Sequence, residues 1–145
     1  MKKIILLFIA AVALVVSCRQ EIVYEISYNV SLDGANTYEA GRPVRFNFSG
    51  DVDNIVFYSG ETGHKYEFRN RYEADESAAD EESQTTVEND KGVVIKNLQN
   101  YLHSFEYTWN EPGTYTVTFV GTNANYAGAS RKIQEMTITI FEAKE

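Results

Sequence analysis

Tyr107-Thr108-Trp109-Asn110-Glu111-Pro112-Gly113-Thr114-Tyr115-Thr116-Val117-Thr118-Phe119 holds two alternating runs and the turn that joins them. Phe105, Tyr107 and Trp109 share one face of the first run, since residues two apart on a strand point the same way, and this places Trp109 in the core. Pro112-Gly113 predicts a tight turn in which Gly113 can take positive φ. Beyond it, Tyr115 and Val117 are expected to face inward, with Thr114, Thr116 and Thr118 on the outer face.

The same period of two runs outward in both directions. Ile22, Tyr24, Ile26, Tyr28 and Val30 alternate with Glu21, Val23, Glu25, Ser27 and Asn29, which reads as a half-buried strand closed by a turn at Leu32-Asp33-Gly34-Ala35-Asn36. Val44, Phe46 and Phe48 alternate with Arg45, Asn47 and Ser49; Ile55-Val56-Phe57-Tyr58 is nearly all apolar; Tyr66 and Phe68 alternate with Lys65, Glu67 and Arg69. Val93-Val94-Ile95 and Met136-Thr137-Ile138-Thr139-Ile140 complete the set, with Gly-rich turns such as Ser59-Gly60-Glu61-Thr62-Gly63 between strands. Seven to eight short strands without a convincing amphipathic helix predict an all-β fold, an antiparallel β-sandwich over residues 22–143. Tyr72 to Lys91 breaks the pattern: Glu73, Asp75, Glu76, Asp80, Glu81, Glu82, Glu88 and Asp90 lie among Ser, Thr and Ala. Such a block repels itself and buries little apolar surface, so residues 73–91 are expected to be a mobile acidic loop.

At the amino end, Lys2 and Lys3 precede an unbroken apolar run from Ile4 to Val16. That run is shorter than the 18 to 20 or so residues a membrane span needs, so residues 1–17 read as a signal peptide. Val15-Val16-Ser17-Cys18 resembles a bacterial lipobox, and Cys18 is the single cysteine of the chain. The resemblance implies lipid attachment at Cys18, a thioether to diacylglycerol with an acylated new amino terminus, and a short tether over 18–21. Arg19 follows where an aspartate would favour inner-membrane retention, so the expected location is the outer membrane, on the cell surface, with the periplasmic face left open. The signal holds two of the 13 Lys and Arg and none of the 21 Asp and Glu, which leaves the rest at −10. That charge argues against nucleic acid and against a polybasic membrane patch.

Two further resemblances extend this reading. The stretch Y-T-W-N-E-P-G-T-Y-T-V-T-F, with the closing M-T-I-T-I, is similar to PKD-like domains, immunoglobulin-like sandwiches in which an aromatic and a Pro-Gly turn open the penultimate strand. Their W-x-F-G-D-G signature is missing, its place taken by Phe57 to Gly63, so no ligand site is carried over. Tyr38 to Asp51, followed by I-V-F-Y-S-G-E-T-G-H-K-Y-E-F-R-N-R, resembles an uncharacterised domain family in lipoproteins of glycan-foraging Gram-negative bacteria, with its F-x-F-S-G, I-x-F-Y-S-G-E-x-G and Y-x-x-R-N-R elements. This implies association with a polysaccharide-utilisation system.

Chemistry has fewer footholds. G-x-S-x-G and H-E-x-x-H are missing, His64 and His103 are the only histidines, and the lone cysteine is taken by lipid, so neither catalysis nor a cofactor is expected. Asp51-Val52-Asp53-Asn54 offers alternate oxygen ligands for calcium, but Ile55 and Thr62 occupy positions where an EF-hand needs ligands, and an Asx-rich turn connecting strands is the preferred reading. Tyr58, His64, Tyr66, Tyr72 and Tyr126 lie in or beside loops and could stack on sugar rings, or serve packing alone. Arg69 and Arg71 could orient a carboxylate, or pair with Glu67 or Glu61. The expected function is a non-catalytic accessory module binding glycan. The alternative is a structural or protein-binding envelope module, a spacer or a partner of a transporter complex. A planar row of exposed aromatics would favour glycan; a bare apolar edge strand would favour protein.

Overall fold

The computed structural model describes residues 26–34, 36–69, 89–125 and 128–143. The described residues form eight strands: β1 (Ser27–Leu32), β2 (Thr37–Glu39), β3 (Pro43–Asp51), β4 (Asn54–Tyr58), β5 (Val93–Lys96), β6 (Ser104–Thr108), β7 (Gly113–Asn125) and β8 (Gly128–Phe141). They form an all-β sandwich of a three-stranded sheet, β1-β3-β6, and a five-stranded sheet, β2-β8-β7-β4-β5. The pairing is antiparallel except for β2, which runs parallel to β8 with Thr37 opposite Thr139. The expectation of a wholly antiparallel sandwich is corrected at this strand.

Outside the nearly all-apolar β4, the inward faces are those the alternation indicates. Tyr28 and Val30 of β1, Val44 and Phe46 of β3, Ile55 and Phe57 of β4, and Val117 and Phe119 of β7 are buried together with Ile138 and Ile140 of β8. Phe46 is central, with ring centroids 5.1 Å from Phe119, 6.1 Å from Phe57 and 6.3 Å from Trp109. Trp109 is fully buried, as its strand face requires, and its indole N–H donates to Ser59 O at 3.2 Å. Burying a Trp without a partner for that N–H would cost the desolvation of the donor, so the bond is part of why the ring fits here.

Four local expectations are corrected. Tyr66–Phe68 forms a 3-10 turn and not a strand; β4 already has β7 on one side and β5 on the other, so no strand place beside it is left to pair. Gly113 does not take positive φ; it opens β7, opposite Ile140. Thr118 faces outward as expected but is buried, because the turn from Gly60 to Glu67 folds over that face. The last two strands are far longer than the apolar alternation suggests: β7 and β8 pair from Gly113↔Ile140 to Asn125↔Gly128, through a polar stretch that satisfies its backbone across the hairpin rather than by burial. Cys18, Tyr72, Tyr126 and Arg71, the signal segment, the tether and residues 73–88 of the acidic loop lie outside the described residues.

Candidate functional site

The segment Ser59-Gly60-Glu61-Thr62-Gly63-His64 is wired into the protein from within. Ser59 is buried; its hydroxyl donates to Glu61 Oε2 at 2.8 Å and accepts the Glu61 N–H at 3.3 Å. The same carboxylate oxygen accepts the Tyr107 hydroxyl from the facing sheet at 2.5 Å. Burial raises the Tyr107 pKa, and the Glu61 carboxylate, which its proton serves, raises it further. Gly60 and Gly63 both take positive φ, and a Cβ at Gly60 would stand 2.6 Å from Thr116 O, so the turn needs glycine there. His64 N–H donates to Glu61 O at 2.9 Å, and Gly60 N–H to His64 O at 3.1 Å.

This wiring decides what the loop aromatics can do. Tyr58 is only 4% exposed, its ring meeting Tyr66 edge-on at 5.3 Å, with Gly92 so close that a Cβ there would stand 2.6 Å from the ring. It cannot offer a face to a sugar. His64 is exposed, with Nδ1 2.9 Å from Lys91 O. Tyr66 is partly exposed and lines a hollow of about 110 Å³ with Lys65, Glu67, Thr114, Thr116 and Glu135. Of the three described aromatic candidates, the structure thus brings Tyr58 and Tyr66 together, and Tyr66 is the one that lines the hollow; Arg69 is exposed. The Asp51-to-Asn54 turn is closed by protein groups: Val52 is buried, Asp53 N–H donates to Asn123 Oδ1 at 2.7 Å, and Lys96 Nζ donates to Asp53 O at 3.2 Å. Among the described residues, no three His, Cys, Asp or Glu side chains come together for a metal ion.

The chain matches, over residues 17–134, the family model described as a domain of unknown function, DUF5017. The chain belongs to the DUF5017 family. No curated protein matches it. Within this DUF5017 domain, the S-G-E-T-G stretch serves the turn itself, and residues beyond the matched segment complete the sandwich, since Ile138 and Ile140 are core.

A second surface lies at the sheet edges. β5 ends the five-stranded sheet, with Val93 48% and Val94 63% exposed, and the following segment adds Leu98 at 72% and Tyr101 at 93%. Lys96, the charge that could guard this edge, is turned back onto Asp53 O. A register irregularity between Ile55 and Val56 leaves Val93-Val94 as the regular stretch opposite β4. At β1 the situation is reversed. Gln134 Oε1 accepts the Val30 N–H at 2.8 Å, Gln134 Nε2 donates to Tyr28 O at 3.1 Å, and Lys132 Nζ donates to the same carbonyl at 2.9 Å. A primary amide here takes the place of a neighbouring strand. Neither β5's exposure nor Gln134's role is visible in the alternation, because both depend on which strands end up at an edge.

Proposed function

We propose that this DUF5017 protein is a non-catalytic, lipid-anchored module of the outer membrane, on the cell-surface side, that binds another protein through the β5 edge. The observation that carries the reading is the exposure of Val93, Val94, Leu98 and Tyr101 on and beside β5, which among the described residues ends the five-stranded sheet, apolar side chains of the kind that mark protein contacts. Support for the anchor comes from the lipobox-like V-V-S-C, its single cysteine and a family match that begins at residue 17. Anchorage favours weak lateral contacts, since two partners held at one membrane meet at high effective concentration. The test is a photoreactive residue placed at Val94 or Tyr101, and at Ser31 as control, in cells that make the full chain. Discrete protein adducts from the first two and none from Ser31 support the reading; polysaccharide adducts, or protein adducts equally from Ser31, contradict it.

The hollow beside Tyr66 favours glycan as a second reading. Hydroxyls, two carboxylates, an ammonium and a phenol ring around a small concavity are groups suited to a sugar's alternating polar and apolar faces. It predicts that the full chain in detergent is retarded in gels containing the right polysaccharide, and that Tyr66→Ala abolishes the retardation while the chain stays folded, with the melting temperature lowered only by the lost contact with Tyr58.

A further inference from the structure

We infer that the outward face of β7 and β8 is an extended track for a neutral polysaccharide bound along its length, with the hollow at Tyr66 as one end. This rests on the glycan reading above and names the kind of glycan. Residues two apart share a face, so Thr114, Thr116 and Thr118 of β7 point outward together with Glu135, Thr137, Thr139 and Phe141 of β8. The register sets them side by side: Thr118 lies opposite Glu135, Thr116 opposite Thr137 and Thr114 opposite Thr139, with Thr37 of β2 on the other flank of Thr139. Thr37, Thr114, Thr116 and Thr137 are exposed, and Thr139 is partly so. The hollow at Tyr66 has Thr114, Thr116 and Thr118 among its lining, so its floor runs on into these rows.

At the far end of the rows Phe141 is 56% exposed and shares a second, open hollow of about 660 Å³ with Pro112, Glu39 and Glu142. Glu135 and Phe141 are six residues apart on β8, about 20 Å at the usual rise of a strand. A ring at each end, with a floor of hydroxyls and methyls between, matches a chain that offers hydroxyls at its rims and C–H groups on its ring faces. A single sugar would fill the Tyr66 hollow and leave Phe141 unused. Two further features choose the ligand. β7 lies between β4 and β8, and β8 between β7 and β2, so both backbones are already paired and no incoming strand can be added on this face. The charges beside the track are mostly acidic: Glu67 and Glu135 with Lys65 at the first hollow, Glu39 and Glu142 at the second, where Arg42 is held by Glu39 at 3.3 Å. A polyanionic glycan would meet more carboxylates than cations there, so a neutral chain is selected.

The experiment runs the full chain in neutral detergent through gels holding soluble xylan, mannan, β-glucan or polygalacturonate. The isotope-labelled full chain is then titrated with oligosaccharides, two and six units long, of the polymer that retards it. The expected result is retardation by a neutral polymer and not by polygalacturonate, with the hexamer binding about tenfold more tightly than the dimer. The hexamer should shift amides along Thr114–Thr118 and Thr137–Phe141. Phe141→Ala removes a largely solvated ring, so the fold should hold, as thermal unfolding checks. It should weaken the hexamer about fivefold and leave the dimer unchanged, whereas Tyr66→Ala weakens both. Equal affinity for dimer and hexamer, or a hexamer indifferent to Phe141→Ala but weakened by Tyr66→Ala, would overturn the track and leave the glycan reading of the hollow standing. Equal retardation by polygalacturonate would overturn the choice of a neutral chain. If no polymer retards the protein, or if retardation survives both substitutions in folded protein, the track and the glycan reading of the hollow fall together.

Discussion

β1 and β5 each end a sheet, and their outer backbones meet different surroundings. Along β1, the amide of Gln134 and the ammonium of Lys132, both from β8, bond Val30 N–H and Tyr28 O as a neighbouring strand would. Along β5, two valines face solvent and Lys96 of the same strand bonds Asp53 O. An unpaired strand edge invites pairing with other chains, and proteins usually blunt it with charge, bulges or cover. The β1 edge is blunted by side chains reaching from the opposite sheet. The β5 edge is left apolar, and that contrast is the physical basis for assigning it a partner.

The largest effect is expected at Tyr28, which fixes β1 to the long hairpin. Its hydroxyl accepts Gly121 N–H at 3.1 Å and lies 2.9 Å from Phe119 O and 3.0 Å from Lys132 O, donating its proton to one of them. Gly121 is glycine because a Cβ would stand 2.4 Å from the ring. Tyr28→Phe leaves a buried N–H without its acceptor and should cost about 1–3 kcal/mol in denaturant unfolding. Burial raises the Tyr28 pKa, the Gly121 hydrogen bond only partly offsetting it, so the folded chain keeps a proton that the unfolded chain loses near pH 10. Stability is therefore full below about pH 10 and falls as pH rises above it, and the alkaline decline should be shallower in the Phe variant.

Next comes the guard itself. Gln134→Leu removes both amide bonds from β1 and should lower stability by about 1 kcal/mol, with the freed edge revealed by faster aggregation on heating. If the variant neither loses stability nor aggregates, the side chain is not closing that edge. A different quantity answers to the anchor: Cys18→Ala should leave the melting temperature unchanged while moving the protein from the detergent phase to the aqueous phase. Persistence in the detergent phase would refute lipid attachment at that residue. Among the substitutions within the sandwich, the smallest change in stability belongs to Val94→Lys, within about 0.5 kcal/mol because the side chain is already in solvent. Yet it should erase adducts from a photoreactive Tyr101 position, and undiminished adducts would move the docking surface away from β5.

How much of this could be read from the sequence follows from what each feature depends on. The inward positions of β1, β3, β6 and the start of β7 were legible, Trp109 included, because burial on one face writes a period of two, whereas the nearly all-apolar β4 shows a strand without showing which side faces in. Tyr66–Phe68 shows the same period and is a 3-10 turn, since alternation states a preference and a vacant place in a sheet decides its use. β2 and the polar halves of β7 and β8 were missed because pairing alone holds them. The candidate site divides in the same way. Tyr58 read as a loop aromatic open to ligand, but the adjacent S-G-E-T-G folds back on itself through Ser59 and Glu61 and buries it. Val93 and Val94 read as an ordinary short strand; only the neighbours a sheet provides distinguish an edge from a centre.

The most direct test of the contrast between the two edges is amide hydrogen exchange of the full chain, residue by residue, without any partner. The Val30 N–H should be protected to nearly the level of core strand amides, because Gln134 accepts it. The β5 amides that point away from β4 should exchange at rates close to those of exposed loops. Strong protection across β5, or rapid exchange at Val30, would contradict the account.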